Sequence, residues 1–220
     1  MPMSMPAPEA EPAVQPPRMS LLAPDWTPPR LPAPIELRTA RLWLRGWRDA
    51  DRAPYAALNA DPAVMRYFPG LQDAAASDRS IDAWQCALSE RGWANWALQR
   101  QDTGQFIGFV GLTQPQREFD FSPCVEIGWR LAAAHWGQGL ASEAARAVLA
   151  LGFGPLALAE IVSFTSLLNM PSRAVMQRIG LIDSGFEFDH PGVPEASPLR
   201  RHCLYRLSRT AWLARPSAER

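Results

Sequence analysis

The chain has 220 residues, 47% of them hydrophobic, with 22 basic and 22 acidic residues for a formal net charge of zero. That balance is ordinary for one well-packed globular domain, excludes a wholly disordered chain and argues against a dedicated nucleic-acid binder, which would carry a basic surplus. All 22 basic residues are arginine, so chemistry that depends on a lysine, such as a Schiff base or a phosphate-loop lysine, is excluded too.

Residues 1–34 hold eleven of the 22 prolines and show no hydrophobic period. Such a segment buries too little apolar surface to offset its ordering entropy, so it reads as a disordered or extended tail. The folded domain is expected over 35–210, followed by a short C-terminal tail over 211–220. In the domain, Leu42 and Leu44 alternate with Trp43 and Arg45 as a strand. Asp49 is placed to cap a helix over Ala50–Asn59, Asp61-Pro62 to start a second short helix, and Asp78–Arg91 forms a third helical stretch. Trp93–Gln99 and Phe106–Leu112, separated by a turn at Asp102-Thr103-Gly104, read as a hairpin, and Val125, Ile127, Trp129 and Leu131 add a third strand. After a glycine turn come an Ala-rich helix from about Leu140 to Leu151, a strand over Glu160–Thr165 and a helix over Pro171–Arg178. Strands at 182–188 and 201–207 close the domain. The fold class is α/β with a mixed, mostly antiparallel sheet flanked by helices.

Cys86, Cys124 and Cys203 lie far apart without Cys-x-x-Cys spacing, and His135, His190 and His202 lack ligand spacing, so no metal site and no disulfide framework is expected. The longest apolar stretch, Ala147–Ala159, is interrupted by glycines and Pro155 and is shorter than the roughly 20 residues a spanning helix needs. No secretory signal pattern is visible, and a cytoplasmic location is expected. Five of the nine tryptophans, Trp43, Trp84, Trp93, Trp96 and Trp129, fall in elements that build a core, and packing accounts for them better than base stacking.

The most informative stretch runs from Glu126 to Ala144. A strand leads into a turn holding Gly137 and Gly139, and a helix opens directly after it. Backbone N–H groups at the positive end of a helix suit a pyrophosphate. Gly137-x-Gly139-x-x-Ser142 also approaches a dinucleotide fingerprint, but Glu160, the acid that would take the ribose, begins the next strand instead of ending it. A dinucleotide-binding oxidoreductase is therefore the weaker reading of the turn.

Glu126-Ile127-Gly128-Trp129, Trp136-Gly137-Gln138-Gly139-Leu140-Ala141 and Asn169-x-x-Ser172 resemble the GNAT N-acetyltransferases, and within them the branch of the ribosomal-protein alanine N-acetyltransferases. The opening Leu37-x-Thr39-x-Arg41-Leu42-x-Leu44-Arg45 fits the same branch, and the resemblance covers roughly residues 36–208. It implies an acetyl-CoA-dependent transfer to a primary amine, either a protein α-amino group or a small molecule, by a monomer or homodimer without metal, nucleic-acid or membrane partners. By motif position, Trp129, Arg130 and Leu131 meet the acetyl and pantetheine groups. Gly137, Gln138, Gly139, Leu140, Ala141 and Ser142 cradle the pyrophosphate, and Asn169 reaches the pantetheine arm or caps the following helix.

The tyrosine that better-understood members place seven residues after the asparagine is Met176 here, and a carboxylate some carry five residues before it is Phe164. Glu126 is then the candidate base, its alternative role being an ion pair with Arg130 on the same strand face. Ser172 is the candidate to orient a water or the leaving thiol. His190 borders a loop at 189–199 that, with residues 55–80, is expected to shape the acceptor pocket. A non-catalytic acyl-CoA sensor is the alternative function.

Overall fold

Apolar runs and two-residue alternation build one eight-stranded sheet in the computed structural model, which describes residues 20–23, 25–32 and 35–216. In chain order the strands are β1 (Leu37–Arg38), β2 (Leu42–Arg45), β3 (Asn95–Arg100), β4 (Phe106–Thr113), β5 (Glu126–Leu131), β6 (Glu160–Ser166), β7 (Ile182–Asp189) and β8 (Arg201–Ser208). They lie in the order β1-β2-β3-β4-β5-β6-β8-β7. Every neighbouring pair is antiparallel except β5 with β6. The helices are α1 (Asp49–Asn59), α2 (Ala74–Arg91), α3 (Leu140–Phe153), α4 (Met170–Arg178) and α5 (Arg209–Leu213). The mixed, mostly antiparallel α/β class expected from the sequence is the one observed.

Helices cover both faces of the sheet. Leu112 stands opposite Ile127, and the Leu112 and Ile161 side chains reach Gly152 of α3, so this face packs on α3. A Cβ at Gly152 would come within 2.5 Å of Ile161 Cδ1, which is why glycine holds that position. Phe109 and Arg130, registered partners on β4 and β5, point the other way, toward Tyr55 of α1 and Trp84 of α2. A buried ion pair fixes the entry to α1: Arg45 Nη1 donates to Asp51 Oδ2 at 2.6 Å, and Asp51 also accepts from the Arg48 N–H. α2 begins one turn earlier than the sequence pattern indicates, because Asp73 caps it through the Ala76 N–H.

Three expectations need correction. Asp61-Pro62 starts no helix: the Asp61 carboxylate accepts from the Ala63 N–H and its carbonyl from the Met65 N–H, a local turn that ends there. The described part of the Pro-rich segment is not free of the domain. Leu22 is buried, Trp26 and Leu31 pack on the core, and the Pro29 carbonyl accepts from Trp93 Nε1 at 2.8 Å. Scattered apolar residues dock here one at a time, which leaves no periodic signal. Residues 1–19 of that expectation lie outside the described residues. At the other end Trp212 of α5, placed in the expected tail, is buried against Phe153. Trp93 and Trp96 are fully buried as expected, whereas Trp43 is half-buried and takes Arg38 on its face, 4.2 Å from the guanidinium. No helix among the described residues is long and apolar enough to cross a membrane.

Candidate active site

β5 and β6 begin side by side and then part. Glu126 registers with Val162, the Val162 N–H donates to the Val125 carbonyl, and Ser163 Oγ donates to the Ile127 carbonyl at 2.9 Å. Beyond Ile127 no further rung joins the two strands among the described residues. Trp129, Arg130 and Leu131 stay paired with β4 on one side and border a cleft of about 1650 Å3 on the other. The cleft runs from the start of α3 to the segment joining α1 to α2 on one wall, and to the 190–200 loop and α4 on the other. Parts of 55–80 and 189–199 thus lie on its rim, as expected for an acceptor pocket.

The loop after β5 has the geometry of an anion cradle. Gly137 and Gly139 have φ of 72° and 75°, a left-handed conformation that side chains disfavour, and Gly139 is the residue from which α3 starts. A Cβ at Gly137 would meet nothing within 4 Å. Leu140, Ala141 and Ser142 form the first turn of α3 and line the cleft; the Ser142 hydroxyl is buried without a hydrogen-bond partner, and so is Nδ1 of His135. The loop is braced from outside. Arg41 Nη1 donates to the Gln138 carbonyl at 2.9 Å, and Glu143 accepts from Thr39 Oγ1 and from Arg41 Nε, each at 2.6 Å. Burial alone would raise the Glu143 carboxyl, but these bonds outweigh it and hold the group below its ordinary value. A second hollow, of about 550 Å3, is lined by Arg41, Arg146 and Arg178 beside the same turn.

Glu126 sits at the fork itself. Burial pushes its carboxyl up to about 8, and no donor pairs with it among the described residues. The ion pair with Arg130, weighed from their spacing, does not form. Arg130 Nη1 donates instead to Asn59 Oδ1 at 2.6 Å, and its guanidinium lies 4.1 Å from the centre of the Phe68 ring. Asn169 caps α4: its Oδ1 accepts from the Ser172 N–H at 3.2 Å and its Nδ2 donates to Thr165 Oγ1 at 2.9 Å. The cap, offered as the alternative role, is the one the geometry displays, although Asn169 also borders the cleft. Ser172 lines the cleft, its hydroxyl making no hydrogen bond among the described residues, whereas Met176 is buried in the core and out of the cleft.

The far wall holds His190, which the sequence places beside the acceptor pocket, together with neighbours that spacing does not group with it. Phe119, Phe164, His190 and His202 come together there, the two imidazoles 4.8 Å apart by ring centres. Burial, together with His202 and Arg117, lowers His190 to about 4, so the pair is neutral near pH 7. Tyr67 on the opposite wall lies within the 55–80 stretch expected to shape the pocket, but no period is readable in the irregular segment after α1 to single it out. Among the described residues no group of three or more His, Cys, Asp or Glu is placed to hold a metal ion.

Residues 41–182 match the acetyltransferase (GNAT) domain family. The chain is 33% identical over 150 residues to the uncharacterized protein YkkB of Bacillus subtilis, covering 68% of this chain and 86% of that one. It is 32% identical over 188 residues to the FsC-acetyl coenzyme A-N(2)-transacetylase of Aspergillus fumigatus, covering 80% and 77%. The fold is shared with Mycobacterium smegmatis RimJ in complex with CoA-disulfide, with a TM-score of 0.62 and 19% identity over 88% of this chain and 90% of that one.

Proposed function

This chain belongs to the GNAT acetyltransferase family, and on that premise we propose that it moves the acetyl group of acetyl-CoA to a primary amine by direct attack, with Glu126 as the base. The observation that carries the reading is the fork between β5 and β6, which joins a strand edge left without a partner toward β6, a left-handed glycine loop and one desolvated carboxylate in a single cleft.

The residues present suit that donor. Gly137 through Ser142 would receive the pyrophosphate on backbone N–H groups, with the orphaned Ser142 hydroxyl as a further donor and Arg41, Arg146 and Arg178 supplying positive charge nearby. The backbone of Trp129, Arg130 and Leu131 would hold the pantetheine arm and the acetyl group, and an N–H near Trp129 would meet the developing oxyanion. Asn169, with one amide proton and one lone pair already committed, still has one of each to offer the arm.

The neutral amine forms the new C–N bond as the C–S bond breaks. Its proton passes to the Glu126 carboxylate, directly or through one water, and the departing sulfur needs a proton donor. Met176 is no such donor, and we assign that role to the Ser172 hydroxyl. The acceptor is a small-molecule amine or a protein N-terminus, entering from the side of the α1–α2 segment.

Two measurements test the reading together. Thermal unfolding with excess acetyl-CoA should rise by several degrees, since a ligand at about one hundred times its dissociation constant adds roughly 2.7 kcal/mol, while NAD and ATP leave it unchanged. Thiol release from acetyl-CoA with a panel of amines should then exceed the amine-free rate. A shift with NAD in place of acetyl-CoA overturns the donor, and binding of acetyl-CoA without thiol release for any amine leaves a sensor in place of a transferase.

A further inference from the structure

The buried Arg45 meets Asp51 and the half-buried Arg206 meets Glu160, each at 2.6 Å. Arg130 has none. Among the described residues its hydrogen-bond acceptor is the neutral Asn59 amide, aromatic rings of Phe68 and Phe109 lie 4.1 and 5.6 Å from its guanidinium carbon, and its Nε is buried with no partner. A guanidinium does not shed its proton at these pH values, so this is a half-buried positive charge at the cleft wall with one buried N–H left unmatched. Uncompensated charge in such a place is costly, and an anion from solution relieves it.

The position favours the acceptor over the donor. Arg130 projects from the face of β5 that meets α1 and the Phe68 segment, away from the arginines grouped at the glycine loop. Glu126 lies on the same strand face, two pleats back, and between them stands Gly128, where a Cβ would meet no atom within 4 Å. Glu126 is the one acidic side chain lining the cleft among the described residues, and it forms no ion pair with Arg130, so an incoming carboxylate displaces no acidic partner from the guanidinium.

We propose that the acceptor is an amine that also carries a carboxylate, bound by Arg130 while the amine is presented toward Glu126 across the open face at Gly128. This rests on the transferase reading above and narrows it. The carboxylate belongs either to a free amino acid-like molecule or to a short peptide, and the test separates the two.

The experiment measures kcat/KM at saturating acetyl-CoA for ω-amino acids of increasing length, each against its own carboxamide, and for short peptides with free or amidated C-termini. The wild-type protein should prefer the acid by about tenfold or more, the worth of a charge-assisted hydrogen bond. Arg130→Met should erase the preference while the dissociation constant of acetyl-CoA stays within about twofold. Preference for the free acid among small molecules identifies an amino acid-like acceptor, and preference confined to free C-terminal peptides identifies a peptide. Equal turnover of acid and amide by the wild type overturns the proposal and leaves the transferase reading intact. Loss of acetyl-CoA affinity in Arg130→Met with the acid preference unchanged overturns it as well, by assigning the charge to the donor. Absence of turnover with every amine, in a protein that binds acetyl-CoA, is the distinct result that removes the transferase reading itself.

Discussion

Glu126 faces Val162 in the registered pair at which β5 and β6 part, so its carboxyl stands where the sheet opens and where water is scarce. A base raised to about 8 is partly ionised at neutral pH and can both take and hold a proton there.

Glu126→Gln should lower kcat by roughly 10²- to 10⁴-fold and leave acetyl-CoA affinity within about twofold. In the wild type, kcat/KM should climb with pH to a plateau above about 8, and the variant should lose that limb. A thiol-release assay across pH reads both. Collapse of acetyl-CoA binding with turnover per bound enzyme preserved would make Glu126 a structural residue.

The same carboxyl carries a stability signature. Its folded value lies above its unfolded one, so the folded state binds the proton more tightly and stability falls as the pH rises from about 4.5 to about 8. Glu126→Gln removes that dependence. The variant's midpoint of thermal unfolding should match the wild type at pH 4.5 and exceed it at pH 8.

Glu143 titrates in the opposite sense. Its carboxyl is held low in the folded state, so its contribution is present above the ordinary carboxylate value and is lost as the pH falls through the folded one. Glu143→Gln should cost on the order of 1 kcal/mol at pH 7, modest because Arg41 is half exposed, and little in strong acid. Urea unfolding at the two pH values measures the difference. The affinity for acetyl-CoA should fall too, because Thr39 and Arg41 then no longer brace the glycine loop.

Gly139→Glu places bulk and negative charge at a left-handed position beside the proposed phosphate cradle. The strain costs roughly 1–2 kcal/mol, which leaves a folded protein. Stabilisation by acetyl-CoA should disappear in thermal unfolding. An unchanged shift would move the cradle elsewhere.

Arg45 and Asp51 form an ion pair with both side chains 3% exposed. Asp51→Ala alone should cost about 3–5 kcal/mol because it strands the arginine, whereas Arg45→Met with Asp51→Leu should recover most of that loss. Denaturant midpoints of the two single variants and the double variant decide the matter.

Much of the fold is written in local pattern. The alternation from Val125 to Leu131, the hairpin about Gly104 and the glycine that opens α3 each depend on neighbours a few residues away, so they were readable. What was not readable depends on distant partners. Arg130 and Glu126 share a strand face as their spacing requires, yet Arg130 turns to Asn59, 71 residues earlier in the chain, and the ion pair never forms. The Pro-rich segment carries three apolar residues that fit separate places on the domain, a match visible in no window of its own sequence. Asn169 matched a family motif by spacing, but the α4 cap that occupies part of its amide depends on Thr165 and Ser172, which the motif does not specify.

The fork also divides the sheet mechanically. Five strands, β1 to β5, form one plate and three, β6, β8 and β7, form another, stitched along a single short seam and bridged by the α3 segment. A molecule lying in the gap would supply the rungs that the backbone lacks, and so would act as a mortar joint between two slabs. Its arrival should therefore slow amide exchange along β5 and β6 well beyond the residues it touches, and the plates should loosen again when it leaves.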